Sequence, residues 1–172
     1  MTRTRLIATS DAEALAAVLV RTRDFLEPWE PVRPDSYFTV EGQHRAVADS
    51  LQRYANGTMH PHVILDDDGA VVGRINLNNI VRAAFQSASL GYWLAEEAGG
   101  RGLATQAVAE MLVVAFDELG LHRVEAGTIP ENKRSQAVLL RNGFEQFGYA
   151  PRYLNIAGRY TDHLLFQKLA DD

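Results

Sequence analysis

Between residues 90 and 105 the chain passes from a β-rich run, Leu90-Gly91-Tyr92-Trp93-Leu94-Ala95, into a loop with three glycines in four positions, Gly99-Gly100-Arg101-Gly102. It continues into a segment opening with Leu103-Ala104-Thr105, whose apolar residues fall in two neighbouring rows spaced by four: Leu103, Ala107, Met111, Ala115, Leu119 and Ala104, Val108, Leu112, Phe116. Two such rows make a broad buried stripe on a helix. Glycines ahead of it let the backbone turn tightly and approach a ligand, and the helix start offers unpaired N–H groups at the positive end of its dipole. This strand, loop and helix suit a diphosphate, to which Arg101 either adds a charged contact or turns away toward solvent. Glycine spacing alone is a weak signal, equally consistent with a plain turn before an ordinary helix. No Gly-Lys-Ser/Thr follows, so a nucleotide-triphosphate loop is disfavoured. A hairpin-like region precedes the loop and no parallel strand-helix repeat surrounds it, which disfavours a dinucleotide fold.

The rest of the chain sets the architecture. Leu6-Ile7-Ala8 reads as a short strand, and Asp11 as the cap of a helix carrying Leu15, Val18, Leu19 and Leu26, closed by Glu27-Pro28. A second helix is predicted from Val40 to Ala55, ahead of Asn56-Gly57. His62 to Leu65 and Val71 to Ile80 flank Asp66-Asp67-Asp68-Gly69 as a hairpin, and Ser87 to Leu94 is the next strand. Two helix-plus-strand units follow, and Gln146 to Ile156 and Tyr160 to Lys168 close the chain on either side of Gly158. The order is strand, two helices, three strands, helix, strand, helix, two strands. That order argues for a mixed sheet covered by helices rather than an all-parallel one. With 172 residues, 47% of them hydrophobic, residues 1–172 read as one domain.

Composition removes several functions. A net charge of -5 opposes electrostatic binding of nucleic acid. No apolar run approaches the roughly 20 residues of a membrane helix, and Met1-Thr2-Arg3-Thr4-Arg5 leads into no signal-like region. Zero cysteines exclude disulfides, thiol nucleophiles and cysteine metal sites. A cytoplasmic protein without membrane, nucleic-acid or metal partners is expected. His60 and His62 share a face if they lie in a strand, but no third ligand is indicated and they read as surface residues.

About thirty residues after the loop come Pro130-Glu131-Asn132-Lys133-Arg134-Ser135 and Ala137-Val138-Leu139-Leu140-Arg141-Asn142-Gly143-Phe144. A Gly-x-Gly-x-Ala loop paired with a later Asn-x-x-Ser helix ending in Asn-Gly-Phe resembles the GCN5-related N-acetyltransferase (GNAT) superfamily. Phe25-Leu26-Glu27-Pro28-Trp29-Glu30-Pro31 and the tail with Gly148 to Leu154, Gly158-Arg159 and Asp162-His163 resemble its RimJ/RimL branch, which acetylates ribosomal proteins. The resemblance implies an α/β (α+β) fold with a mixed, mostly antiparallel central sheet flanked by about four helices. It implies acetyl-CoA as acetyl donor, its diphosphate held by amides from Gly100 to Thr105 and its pantetheine arm paired with Trp93, Leu94 and Ala95. Asn132 and Ser135 match the second cofactor-contacting element. Gly99 stands where many members carry Gln or Arg, which removes a side-chain contact and leaves the backbone cradle. In plain helix chemistry Asn132 is an N-cap, Ser135 an N3 residue and Gly143 a C-terminal cap, roles compatible with touching a ligand.

Acetyl transfer needs a neutral amine, a donor for the developing oxyanion and a proton for the departing thiolate. An α-amino group, with a pKa of about 7.7–8.0, is partly neutral near pH 7, whereas lysine at about 10.4 is not. A strand N–H near Trp93 or Leu94 is the oxyanion donor expected, and Ser135 a bond to sulfur or a proton relay. Glu125, Asp162 and Tyr92 are the candidate bases, each with a structural alternative in the sheet or core. Phe25 and Trp29 either line the acceptor entrance or anchor the linker. Glu27 and Glu30 either attract a cationic amine or are solvated surface. The acceptor is a protein N-terminus or a small amine such as an antibiotic, polyamine or amino-acid derivative, and a non-catalytic CoA-binding regulator is the third reading. A monomer or a homodimer is expected.

Overall fold

The computed structural model describes residues 2–170. Its strands are β1 (Thr4–Leu6), β2 (His60–Leu65), β3 (Val71–Val81), β4 (Ser87–Leu94), β5 (Arg123–Thr128), β6 (Glu145–Ile156) and β7 (Arg159–Leu169). Its helices are α1 (Ala12–Arg21), α2 (Arg23–Leu26), α3 (Val40–Ala55), α4 (Leu103–Val113) and α5 (Lys133–Arg141). The seven strands form one sheet in the order β1-β2-β3-β4-β5-β7-β6, in which β4 and β5 are parallel and the other neighbours antiparallel. This is the mixed sheet that the element order implied, mostly antiparallel as the family resemblance implied. No helix among the described residues is long and apolar enough to cross a membrane.

Strand periodicity sends alternate residues to opposite faces, and around β2 and β3 both faces are covered. Val63 and Val71 meet Ile7, Leu15 and Val47 under α1 and α3. Their neighbours Ile64, Ile75 and Leu77 pack against Leu103, Met111 and Leu139 of α4 and α5. Removing a Leu or Ile side chain from water contributes about 2 kcal/mol, so the two-sided core anchors the strands that carry the site.

Three local expectations are corrected. The first strand ends at Leu6 rather than spanning Leu6 to Ala8: the Ile7 N–H still reaches the Pro61 carbonyl at 3.0 Å, but Pro61 has no N–H to return the bond, and the ladder stops there. Asp11 does not cap α1 with its side chain. It closes a tight turn instead, accepting the Ala8 N–H at 2.8 Å and the Arg5 guanidinium at 2.7 Å. The helix expected to reach Leu26 breaks at Thr22, whose buried hydroxyl accepts the Glu96 N–H at 3.1 Å and ties the break to the segment after β4. In α4 the apolar rows run on as expected because the last turn widens, with Leu119 donating to the Val114 carbonyl five residues back.

β4 and β5 pair only from Ser87–Ser89 to Arg123–Glu125. Beyond that point β4 stays with β3 and β5 with β7, so the two parallel strands part and a gap opens between them.

Candidate active site

Hydrogen-bond alternation decides which β4 amides face this gap. Ala95 donates to the Val72 carbonyl on β3, and the regular antiparallel register commits Trp93 and Gly91 to β3 as well. The N–H groups of Tyr92 and Leu94 therefore point toward the gap. Of the two oxyanion donors expected, Leu94 has the direction required.

At the end of the gap lies the glycine loop. Gly100 and Gly102 adopt φ of +75° and +80°, a left-handed backbone that side chains resist. A Cβ on either would meet nothing within 4 Å, so this side of the loop is open. Gly102 caps α4, its carbonyl accepting from Gln106. Among the described residues, no amide from Gly100 to Thr105 has a protein acceptor. A row of free N–H groups at a helix start, with no Cβ in the way, fits a diphosphate. Arg101 is solvent-exposed, the second of the two courses open to it, and its guanidinium joins that of Arg3 on Asp67, in the β2–β3 turn.

α5 closes the other side of the gap. Asn132 caps it, its side-chain oxygen accepting the Ser135 N–H at 3.1 Å. The Ser135 hydroxyl meets the Tyr92 phenol at 2.8 Å, so two residues forty-three apart in sequence meet across the gap. Burial pushes the Tyr92 phenol up to about 12, partly offset by its bond to Ser135. At neutral pH it is therefore a proton donor rather than a base. Two residues without a site role on sequence grounds hold this geometry. Asn142 donates to the Thr105 carbonyl at 3.2 Å and to Val138 at 2.9 Å, tying the α4 start to the α5 end. Gln136, buried, donates to the carbonyls of Ile129 and Pro130 and fixes the turn into α5. The Asn-Gly-Phe motif was the sequence signal for the first of these; nothing local marked the second.

The remaining candidates are dispersed. Glu125 sits at the last paired position of β4 and β5, opposite Ser89, with its carboxylate 3.4 Å from Arg123. Asp162 is half-buried and accepts the Tyr149 hydroxyl and the Arg152 N–H across the irregular pairing of β6 and β7. Those two bonds hold its carboxyl below the usual range. Phe25 lies beneath the Arg134 guanidinium of α5, 5.5 Å from ring centre to carbon, and Trp29 ends the turn after α2. His60 and His62 are not surface residues: both are buried, with ring centres 4.9 Å apart, because β2 is an interior strand.

On the α1 and α3 face of β4 lie two adjoining cavities. One, of about 400 Å³, is lined chiefly by Leu19, Leu26, Val32, Phe38 and Trp93. The other, of about 330 Å³, is polar and reaches Gly91, Tyr92 and Trp93. Glu30, Arg33, Tyr37 and Trp93 line both. Glu30 is thus not the solvated residue its proline-rich setting suggested. Burial pushes its carboxyl up, partly offset by Arg33 at 3.6 Å and by Arg74. Neither Phe25 nor Trp29 lines these cavities.

Known proteins share this fold. The acetyltransferase (GNAT) domain family model matches residues 3–145. The chain is 35% identical over 162 residues to the [ribosomal protein uS5]-alanine N-acetyltransferase of Escherichia coli, covering 94% of this chain and 84% of that one. The crystal structure of the ribosomal-protein-S5-alanine acetyltransferase from Vibrio fischeri superposes with a TM-score of 0.93 at 35% identity, covering 98% and 93% of the two chains. Mycobacterium smegmatis RimJ, in complex with CoA-disulfide, gives 0.93 at 35% identity over 97% and 81%. Parted parallel strands, a free amide row on a glycine loop and a family match along most of the chain converge: this protein belongs to the GNAT family and is an N-acetyltransferase.

Proposed function

We propose that the protein transfers the acetyl group of acetyl-CoA to the α-amino group at a protein N-terminus, a ribosomal protein being the acceptor class for which its relatives are named. The observation that carries this reading is the unshared amide row from Gly100 to Thr105, set at the end of a gap floored by Tyr92 and Ser135. The solved relative with CoA-disulfide supports the same donor. A ribosomal acceptor implies the cytoplasm, and residues 1–172 act as one domain.

In this reading Gly99, Gly100, Arg101, Gly102, Leu103, Ala104 and Thr105 form the diphosphate cradle, with backbone rather than the Arg101 side chain supplying the contacts. Trp93, Leu94 and Ala95 border the pantetheine path, and Asn132 and Ser135 face it from α5. Bound acetyl-CoA supplies the activated acyl carbon. The Leu94 N–H steadies the oxyanion, an effect of a kind worth about 10²- to 10³-fold. Tyr92, through Ser135, provides the proton for sulfur, since the high phenol pKa keeps it loaded. Glu125 and Asp162, each held by neighbours in the sheet, support strand geometry. Phe25 and Trp29 shape the acceptor rim from outside the two cavities.

Acetyl-CoA with three acceptor panels tests this: peptides with free N-termini, N-blocked peptides bearing lysine, and small amines. Thiol release is expected to be fastest on N-terminal alanine peptides. Equal or faster turnover of lysine side chains overturns it.

A further inference from the structure

Arg74 on β3 is only 6% exposed, yet no carboxylate lies within ion-pair distance of it among the described residues. One of its nitrogens, Nη2, donates to the Ser50 hydroxyl at 3.0 Å and reaches the Asn76 amide oxygen at 3.5 Å. Nε is buried without a partner, and Nη1, which is not closed off from solvent, makes no hydrogen bond among the described residues. A buried guanidinium left this far unmatched costs several kcal/mol unless something else binds it. Its setting says where that something sits. Arg74 pairs with Trp93 across the β3–β4 ladder and lines the polar cavity that reaches Gly91 and Tyr92, with Glu30 on the same cavity wall. Glu30 is only loosely paired, 3.6 Å from Arg33. The cavity thus offers a carboxylate with spare acceptor capacity and a guanidinium with spare donors, beside the strand along which the thioester is proposed to lie.

We propose that these two residues read the first residue of the acceptor: Glu30 binds the α-ammonium and takes its proton, and Arg74 donates to the first peptide carbonyl. This rests on a protein N-terminus being the acceptor. A peptide N-terminus carries a cation and a carbonyl oxygen three bonds apart along the backbone, which matches a paired anion and donor. A lysine side chain or a polyamine has the cation without a nearby carbonyl. Protons balance: the acceptor nitrogen loses two as its bond to the acyl carbon forms and the carbon–sulfur bond breaks. One is matched by the proton delivered to sulfur, and the other leaves through Glu30 to solvent. Asn76 and Asn78, opposite Gly91 and Ser89 on the same face of the sheet, complete a polar floor that excludes an apolar first side chain from this side. The adjoining apolar cavity is then the place for that side chain.

The test is a substrate and mutant cycle. An alanine peptide and its analogue with an (E)-alkene in place of the first peptide bond are assayed on the native enzyme, on Arg74→Gln and on Glu30→Gln. Acetyl-CoA affinity is measured alongside by calorimetry. The alkene is expected to lower kcat/KM about tenfold or more on the native enzyme, in line with a lost charge-assisted hydrogen bond. That penalty should shrink to within about threefold on Arg74→Gln, by the same bond arithmetic. Glu30→Gln should lower kcat/KM about a hundredfold on both peptides while acetyl-CoA binding is unchanged. Should Arg74→Gln fail to fold, the alkene penalty on the native enzyme and the Glu30→Gln result decide. Equal turnover of peptide and alkene by the native enzyme overturns the proposal and leaves N-terminal acetylation standing. Turnover of small amines with no peptide acetylated overturns the acceptor reading, and this inference with it.

Discussion

The phenol of Tyr92 on β4 and the hydroxyl of Ser135 on α5 share a 2.8 Å hydrogen bond across the gap between the parted strands. It links the strand that faces the thioester to the helix that closes over it. Burial holds the phenol near a pKa of about 12, so it stays protonated throughout the working range.

Tyr92→Phe is therefore expected to lower kcat by about 10²-fold, the scale of a lost general acid, with acetyl-CoA affinity nearly unchanged. Ser135→Ala should cost about as much, because it removes the hydroxyl through which the phenol reaches sulfur. A protonated phenol is the active form, and it is lost only above its pKa, so kcat should show no alkaline fall from Tyr92 below about pH 11. Stopped-flow thiol release, followed from about pH 6 to about pH 10, reads this directly.

Gly102 separates fold from binding. Its φ of +80° makes Gly102→Ala strained by about 1 kcal/mol, but nothing within 4 Å obstructs the new methyl group. Thermal melting should shift by only a few degrees while acetyl-CoA binding weakens strongly, and Gly102→Glu should abolish it by setting bulk and negative charge against phosphate. Unchanged affinity in Gly102→Glu would place the diphosphate elsewhere.

Asn142 couples the two helices of the donor site. Asn142→Ala removes hydrogen bonds to the Thr105 and Val138 carbonyls and is expected to cost about 1–2 kcal/mol in urea unfolding. Because Thr105 ends the amide row, acetyl-CoA affinity should fall as well. Loss of stability with affinity intact would mean the tie does not set the cradle.

His62 makes the fold acid-sensitive. Burial, with the nearby His60 and Arg5 charges, pushes its pKa down to about 4. The neutral ring is the folded form, so between about pH 4 and 6.5 the unfolded chain binds the extra proton. This contribution is complete above pH 6.5 and is lost as pH falls toward 4. Lowering pH from about 7.5 to 5 should remove about 2 kcal/mol, measured by urea unfolding. His62→Asn should reduce that loss; an identical loss in the variant would assign it to other groups.

Legibility followed the range of the interactions. α3 and β4 lie where local pattern placed them, because hydrophobic periodicity and turn residues are written in neighbouring positions. The break at Thr22 was not visible, since it depends on the Glu96 N–H seventy-four residues away. For Glu30 the sequence left a cation-attracting role and a solvated one open, and only the docking of its loop beside β3 and β4 half-buries it on a cavity wall. His60 and His62 were misplaced for the same reason: local spacing does not tell an interior strand from an edge.

By itself, then, the order of residues determined the element succession, the glycine loop with its amphipathic helix, and the Asn132 cap, all of which rest on φ preferences and on side chains within a turn or two. Tertiary structure alone decided that β4 and β5 part after Ser89, that Tyr92 meets Ser135, and that Arg74 is buried with no carboxylate in ion-pair distance among the described residues. The physical reason is that strand pairing, burial and the electrostatics that follow from them are set by groups distant along the chain, which no local pattern encodes.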